Sequence, residues 1–250
     1  MPRLRHGLLA LALLLPAIPA RAEGFTEAQR AEIVQILRRA LREDPSILRD
    51  AIAGLQASES RARAEAQSAA IARNADALFH DGADPVRGNP RGDVTIVEFW
   101  DARCTYCKQL HPALEALLRR DPTVRVVMKD LPVLGPNSVL AAHALLAAQR
   151  QGRYAQFQDA LLSLRTEPTE AVLRQQAERV GLDWVRLRRD MEDAAIATRI
   201  QANLRLAEAL GVEGTPALVI GAAPERATLV PGAVDLPTLE RMVAEARAAR

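Results

Sequence analysis

The stretch VTIVEFWDARCTYC, residues 94–107, decides the fold, because an apolar run is followed closely by two neighbouring cysteines. Val94–Trp100 has the composition of a short buried strand. The residues from Cys104 to Arg120 have the apolar spacing of a helix. Cys104 and Cys107, the only cysteines of the chain, are therefore expected where a strand passes into a helix.

Elements on either side of this stretch add further strands and helices. Short apolar runs at 124–128, 217–220 and 228–230 predict three more strands, and the chain from 136 to 210 is helical in pattern. A last helix is expected at 236–250. The order β, α, β, a helical block, β, β, α predicts an α/β protein with a thioredoxin-like fold and an inserted helical domain.

The short spacing of the two cysteines favours redox chemistry over a structural role. A disulfide across so small a loop constrains the unfolded chain by only roughly 2 kcal/mol in the loop-entropy model. A zinc site would need two further ligands, and the four histidines of the chain lack zinc-finger spacing. Attached c-type haem would need a histidine where Lys108 stands. The sequence therefore indicates a redox-active disulfide, Cys104–Cys107, with no metal and no separate cofactor.

The two cysteines are expected to have different roles. At the N-terminus of a helix, free backbone N–H groups and the helix dipole stabilise a thiolate, so Cys104 is the predicted attacking sulfur. Cys107, one turn further along, is predicted to be shielded and to resolve the mixed disulfide that Cys104 forms. Stabilising the thiolate also favours the dithiol form and makes the disulfide more oxidising.

Residues 1–22 have the three parts of a secretory signal peptide. A short basic start is followed by the apolar run Leu8–Leu15 and by Ala20-Arg21-Ala22 at the cleavage position. The run is too short for a membrane anchor, because spanning a bilayer takes about 20 apolar residues. Cleavage before Glu23 and a soluble periplasmic protein are therefore predicted, in a compartment where disulfides persist.

Composition argues against two broad classes of protein. With 49% hydrophobic and 26% charged residues, the chain can bury a core and is not a disordered protein. Its 33 basic and 31 acidic side chains nearly cancel, and residues 1–22 hold three of the basic ones and none of the acidic ones. A mature protein this close to neutrality is not expected to be a general nucleic-acid binder.

The segment 23–80 is predicted to be a helical N-terminal oligomerisation segment. Its pattern is helical from Phe25 to Arg73, with a restart at Asp44-Pro45. An apolar stripe from Ile33 to Ala69 has no partner within the segment, so it is expected to pack on other copies, in a dimer or trimer, or on the main domain. A solvated leader helix is the alternative. Turn-rich sequence at 81–92 then opens the main domain.

Three motifs carry a resemblance to the bacterial DsbA-like and ScsC-like thiol-disulfide oxidoreductases of the thioredoxin superfamily. They are VTIVEFWDARCTYCKQLHP at 94–112, VRVVMKDLPVLGPNS at 124–138 and GVEGTPALVIG at 211–221. The resemblance covers about 81–250, with a helical insertion at about 136–210. The helices at 25–73 resemble, less specifically, the oligomerising leader of the ScsC group.

The resemblance implies further site residues around the cysteines. It places a cis-proline at Thr215-Pro216 beside them, where the backbone edge of Thr215 can pair with a substrate strand. It also implies that Glu98 transfers the proton of Cys107. A carboxylate on an apolar strand costs folding free energy, which favours such a functional role. A surface-pointing glutamate is the alternative. Lys129 is expected to pair with Glu98 or to raise the local positive potential.

Thr105 and Tyr106 lie between the cysteines and are expected, with Thr215 and Pro216, to contact the substrate. Tyr106 and Thr215 resemble the choices of isomerase and reductase relatives, whereas monomeric oxidases often carry His and Val there. The resemblance therefore implies an extracytoplasmic disulfide isomerase or reductase. Its partners would be unfolded or misdisulfided secreted proteins and a membrane redox protein that resets the site.

Two other functions stay open on the sequence alone. One is a monomeric DsbA-type dithiol oxidase with the same two cysteines. The other is a copper-binding or copper-sequestering protein that uses the two thiolates as soft ligands. The chain has only four methionines and four histidines, and these do not cluster in the sequence.

Overall fold

The computed structural model describes residues 24–249 of the 250-residue chain. The predicted signal peptide at 1–22 lies outside the described residues. The chain divides into two compact units, Met1–Ser58 and Glu59–Arg250. Among the described helices, none is both long enough and apolar enough to cross a membrane.

The described part of the first unit is helical. Helix α1 (Glu27–Glu43) begins with a capping box, in which the Thr26 hydroxyl accepts from the N–H of Gln29 and the Gln29 side chain accepts from the N–H of Thr26. Helix α2 (Ser46–Arg73) starts where Asp44 accepts a hydrogen bond from the N–H of Ser46. No residue of α1 is buried. Large apolar side chains are exposed on both helices: Ile33, Val34, Ile36, Leu37, Leu41, Ile47, Leu48, Ile52 and Leu55.

The second unit is built on a five-stranded mixed sheet. The strands are β1 (Val86–Gly88), β2 (Val94–Trp100), β3 (Val124–Asp130), β4 (Ala217–Gly221) and β5 (Thr228–Pro231). Their order across the sheet is β1-β3-β2-β4-β5. Strand β2 runs parallel to β3, and the other three pairs are antiparallel. All seven residues of the central strand β2 are buried.

The helices of the second unit follow the predicted order. They are α3 (Thr105–Arg120), α4 (Pro136–Gln149), α5 (Tyr154–Leu162), α6 (Glu170–Arg179), α7 (Trp184–Asp190), α8 (Ala194–Ala209) and α9 (Leu236–Ala248). Helices α4 to α8 lie between β3 and β4 in the chain and form the inserted block. A thioredoxin-like α/β fold with inserted helices and a helical leader is thereby confirmed.

Strand β1 lies in the segment that the sequence predicted to be turns. It is only three residues long and directly follows Pro85. The turn-forming residues around it therefore give a stronger sequence signal than its few apolar residues. It forms an edge of the sheet by pairing with β3, with Val86 opposite Val127 and Arg87 opposite Val126. The edge strand is therefore an addition to the predicted topology.

The two faces of the sheet carry two separate hydrophobic clusters, because side chains alternate along a strand. Val94, Ile96 and Trp100 of β2 pack with the two cysteines and the inserted helices. Val97 and Phe99 pack on the opposite face with a cluster that reaches the end of α2 and the π-helical turn Asp76–His80. Its members from that segment are Ala70, Ile71, Leu78 and Phe79.

This packing accounts for where the chain divides. The sequence predicted the main domain to start at residue 81, whereas the second compact unit starts at Glu59. The end of α2 buries apolar side chains against the sheet and so belongs to the core of the second unit. The oligomerisation role assigned to 23–80 stays a prediction.

The loop after β2 is fixed by Asp101, which is buried. Its carboxylate accepts hydrogen bonds from the backbone N–H groups of Arg103, Val133 and Leu134 and from the hydroxyl of Ser138, at 2.8 to 3.2 Å. These bonds tie the start of α3 to the loop after β3. The two segments that surround the cysteines are thus held by one carboxylate.

Candidate active site

The two cysteines lie at the N-terminus of α3. Cys104 is the N-cap residue, and its Sγ accepts a hydrogen bond from the backbone N–H of Cys107 at 3.4 Å. Both cysteines are free and buried. A hydrogen bond with the Cys107 side chain, then bonds with the Thr215 side chain and with the backbone N–H groups of Cys107 and Tyr106, lower the pKa of Cys104 to about 5 against the effect of burial.

The pKa of Cys107 is shifted in the opposite direction. Its hydrogen bond with Cys104, its burial and the negative charge of Glu98 raise the pKa of the Cys107 thiol well above its usual range. Cys104 is therefore a thiolate at neutral pH while Cys107 remains a thiol. This asymmetry gives the site one thiolate and one proton-bearing sulfur.

The loop before β4 faces Cys104. The Thr215–Pro216 peptide bond is cis, as the resemblance to DsbA-like proteins implied. The Sγ of Cys104 lies 3.1 Å from the carbonyl oxygen of Thr215. The carbonyl of Pro216 is occupied, because it accepts from the N–H of Gly232 at 2.8 Å. The structure thus brings Cys104, Cys107 and Thr215 together.

Thr105 and Tyr106 are the first two residues of α3 and are exposed. The Tyr106 residue is 62% exposed, although large aromatic side chains are usually buried. Its position two residues after Cys104 suits contact with a bound polypeptide. The role of these two residues in substrate binding stays a prediction.

Glu98 is buried on the central strand, so a surface-pointing side chain is excluded. It lies between Ile96 and Trp100, on the face of the sheet against which Cys107 of α3 packs. Burial raises the pKa of Glu98 to about 8; Arg87 opposes this rise, and the negative charges of Cys104 and Asp130 add to it. A carboxyl with this pKa exchanges its proton close to neutral pH, so its ionised form can accept the proton of Cys107 and its protonated form can return it.

Lys129 is not part of this arrangement, and the predicted pairing with Glu98 is wrong. In the register of β2 and β3, Lys129 is opposite Phe99, whose side chain packs on the other face of the sheet. Its Nζ lies 2.5 Å from a carboxylate oxygen of Asp84 and 2.6 Å from the carbonyl oxygen of Ala77. Lys129 therefore neutralises Asp84 and fastens the segment before β1.

The positive charge near Glu98 comes instead from Arg87 on β1. Sequence reasoning missed Arg87 because it missed β1. Its side chain is held by Glu115 at 2.5 Å, by Asp159 at 2.8 Å and by the side-chain oxygen of Gln158 at 2.9 Å. No sequence signal identified Arg87, because a three-residue strand directly after Pro85 is too short to show alternation.

A buried polar chain was also missed. The Nε1–H of Trp100 donates to the hydroxyl of Tyr154 at 3.1 Å, and this hydroxyl donates to Asp130 at 2.9 Å. All three side chains are buried. The sequence signal was available, because Asp130 ends the mostly apolar stretch VRVVMKD just as Glu98 interrupts VTIVEFW.

One group of side chains near the site has the residue types of a metal site. Ligand atoms of His111, Glu115 and Asp159 lie within 4.8 Å of one another. The guanidinium of Arg87 contacts both carboxylates, and His111 contacts Asp159 at 3.1 Å. Because an arginine already supplies the positive charge there, the cluster does not suit a cation.

A strand that leads into Cys-x-x-Cys at a helix N-terminus, opposite a cis-proline loop, defines a protein of the thioredoxin-fold class with a dithiol site. The chain belongs to the DSBA-like thioredoxin domain family, whose sequence model matches residues 95–244. It is also 37% identical over 139 residues, 55% of this chain, to the Na(+)/H(+) antiporter NhaA 3 of Salinispora tropica. The chain spans about a fifth (21%) of the length of that curated relative.

Three solved structures show the same fold. A thioredoxin-like oxidoreductase from Silicibacter pomeroyi is 41% identical, with a TM-score of 0.66 over 70% of this chain and 98% of that one. Proteus mirabilis ScsC in a transitional conformation is 31% identical, with a TM-score of 0.66 over 90% and 98%. A periplasmic thioredoxin-like protein from Salmonella enterica serovar Typhimurium is 38% identical, with a TM-score of 0.62 over 69% and 95%.

Replacing Glu98 with Gln should change how stability depends on pH. The folded-state pKa of about 8 exceeds the ordinary value of 4.5, so the folded protein binds more protons than the unfolded chain between these values. Wild-type stability is therefore lost as pH rises through this window. The advantage of Glu98→Gln over wild type should grow by a few kcal/mol between pH 5 and pH 8.

Urea unfolding of the reduced proteins at several pH values measures this difference. Glu178→Gln, on an exposed face of α6, is the matched control and should leave the pH dependence unchanged. A Glu98→Gln curve parallel to wild type would contradict the burial of a proton-holding carboxyl.

Proposed function

We propose that this protein is a periplasmic thiol-disulfide oxidoreductase in which Cys104 attacks and Cys107 resolves. The observation that carries the proposal is the difference between the two thiols: the pKa of Cys104 is lowered to about 5, and that of Cys107 is raised. Only the thiolate is a nucleophile, so chemistry starts at one sulfur. The fold family and the oxidoreductase from Silicibacter pomeroyi support the same activity.

In the reducing direction the reaction has two balanced steps. The Cys104 thiolate attacks a client disulfide, forming a mixed disulfide and releasing one client thiolate. Cys107 then gives its proton to the Glu98 carboxylate and attacks the Sγ of Cys104, which releases the second client thiolate and leaves the Cys104–Cys107 disulfide. In the oxidising direction Glu98 returns the proton to Cys107 as Cys107 leaves.

Isomerisation uses the first step, the attack by Cys104, but not the attack by Cys107. A second thiolate of the client attacks the mixed disulfide, which leaves a rearranged client and returns the Cys104 thiolate without net oxidation. The exposed Tyr106 and the Thr215–Pro216 loop support client contact during this exchange. We assign the protein to isomerisation or reduction of misdisulfided secreted proteins, with a membrane redox protein to reset it.

Net oxidation is the second candidate function, and a specific observation favours it. The pKa of Cys104 is lowered to about 5, so its thiolate is stabilised in the reduced protein. This favours the dithiol state and makes the disulfide a stronger oxidant. Parallel assays with reduced and with scrambled ribonuclease separate the two functions. Rearrangement of the scrambled form supports an isomerase, whereas activity confined to the reduced form supports an oxidase. Among the described residues nothing specific supports copper binding.

The first unit supports self-association. Exposed apolar side chains on α1 and α2 are unfavourable in water, and copies of the same surface can cover each other in a symmetric dimer or trimer. Several Cys104 sites in one assembly would then act on one client. The periplasmic location is supported by the predicted signal peptide and by the similarity to the periplasmic thioredoxin-like protein of Salmonella enterica.

Cys107→Ala should trap a mixed disulfide with scrambled ribonuclease, and Cys104→Ala should not. The first variant can attack but cannot resolve, and the second lacks the nucleophile. Mass spectrometry after acid quenching identifies the joined sulfurs. A ribonuclease adduct on Cys107 in Cys104→Ala, at the same rate as the adduct on Cys104, would contradict the assigned roles.

Removing the mature sequence up to Ser58 should give a monomer that still reduces insulin but no longer rearranges scrambled ribonuclease. The cut spares Ala70 and Ile71, which are buried in the second unit. Light scattering gives the oligomeric state. A full-length mature protein that is monomeric at tens of micromolar would contradict self-association.

A double substitution tests the exposed apolar surface of α1 in the full-length protein. Replacing Ile36 and Leu37 together with Glu places charge on the exposed apolar face and should dissociate the oligomer. Replacing the exposed Arg38 and Arg39 with Gln is the matched control on the same helix and should leave the assembly intact.

A further inference from the structure

Asp130 is a buried acid that the reaction scheme above does not use. It ends β3 and is 2% exposed. Among residues 24–249, no arginine or lysine forms an ion pair with its carboxylate. A carboxylate kept away from both water and a cation is costly to the fold. The stability of the fold therefore does not explain why an acid is buried at this position.

Asp130 and Glu98 lie on the same face of two neighbouring strands. Glu98 is opposite Met128 in the parallel register, and Asp130 is opposite Trp100. A separation of one strand sideways and two residues along puts their backbone positions roughly 8 Å apart. Across a buried region at this distance, the charge of one carboxylate acts on the proton of the other.

Hydrogen bonding favours loss of the first proton from Asp130. The Tyr154 hydroxyl donates to Asp130 at 2.9 Å and thereby stabilises the carboxylate form. Burial nevertheless raises the pKa of Asp130 to about 8, as it does for Glu98. The two acids therefore titrate as a coupled pair, in which the charge of one discourages ionisation of the other.

Other charged and titratable groups also face this pair. Glu98 is influenced by Arg87 from β1 and by the cysteines of α3, and Tyr154 of α5 responds to it. The hydrogen bond from Tyr154 lowers the pKa of Asp130, and the negative charges of Asp84 and Asp101 raise it. Arg87 favours the ionised form of Glu98, whereas the negative charges of Cys104 and Asp130 oppose it.

We propose that Asp130 is a positioning residue that, through its negative charge, keeps on Glu98 the proton exchanged with Cys107. Asp130 itself contacts neither cysteine in the hydrogen bonds described. The proposal rests on the thiol-disulfide exchange proposed above and assigns Asp130 control over the pH at which its second step runs.

Ellman's reagent, an aromatic disulfide with a coloured thiolate product, separates the two steps in reduced full-length protein. Attack by Cys104 forms a mixed disulfide and releases the first coloured thiolate. Attack by Cys107 passes its proton to Glu98, closes the Cys104–Cys107 disulfide and releases the second. Stopped-flow absorbance over a range of pH gives a profile for each step.

Asp130→Asn should move the midpoint of the second step down by about one pH unit, because Glu98 loses a neighbouring negative charge. The profile of the first step should be unchanged. In a Glu98→Gln background, Asp130→Asn should produce no shift. Asp121→Asn, at the far end of α3, is the matched control and should move neither midpoint.

Tyr154→Phe tests the proposal if Asp130→Asn fails to fold. It removes the hydrogen bond that favours the Asp130 carboxylate, so Asp130 keeps its own proton longer and Glu98 loses its proton at lower pH. The second midpoint should therefore fall, by less than one unit. An unchanged midpoint in the folded variants, or an equal shift without Glu98, would overturn the role of Asp130. Failure of Cys107 to release the second thiolate would instead overturn the proposed exchange.

Discussion

The hydrogen bonding of the Cys104 sulfur at the N-terminus of α3 is the interaction on which the site depends. The Sγ of Cys104 accepts from the N–H of Cys107, and the Cys107 side chain contributes most to lowering the pKa of Cys104. Two further features of the site support this geometry. Asp101 fixes the turn before the helix, and the cis-proline loop brings Thr215 to the same sulfur.

The site is arranged at a cost to stability. Glu98 and Asp130 are both carboxyls in the interior of the second unit, and burial raises the pKa of each to about 8. A core built for stability alone would place apolar side chains at both positions. Two acids on the face of the sheet that packs against Cys107 instead provide a place for a proton where water has little access.

Local patterns predicted most of the fold and the central pair of cysteines. The buried strand β2, the helix that starts at Cys104 and the Thr215–Pro216 loop all have strong signals within a few residues of sequence. Side-chain pairing across the sheet could not be read in this way. Lys129 and Glu98 looked like partners, but the register places them on opposite faces, and the cation Arg87 comes from a strand too short to recognise.

The pKa of Cys104 is the most direct test of the account. Ultraviolet absorbance of the thiolate, followed against pH in the reduced protein, should show a transition near pH 5 that Cys107→Ala moves upward, because the largest stabilising hydrogen bond is then lost. A first transition near the ordinary thiol value of 9 would contradict the claim that α3 and Cys107 hold Cys104 as a thiolate.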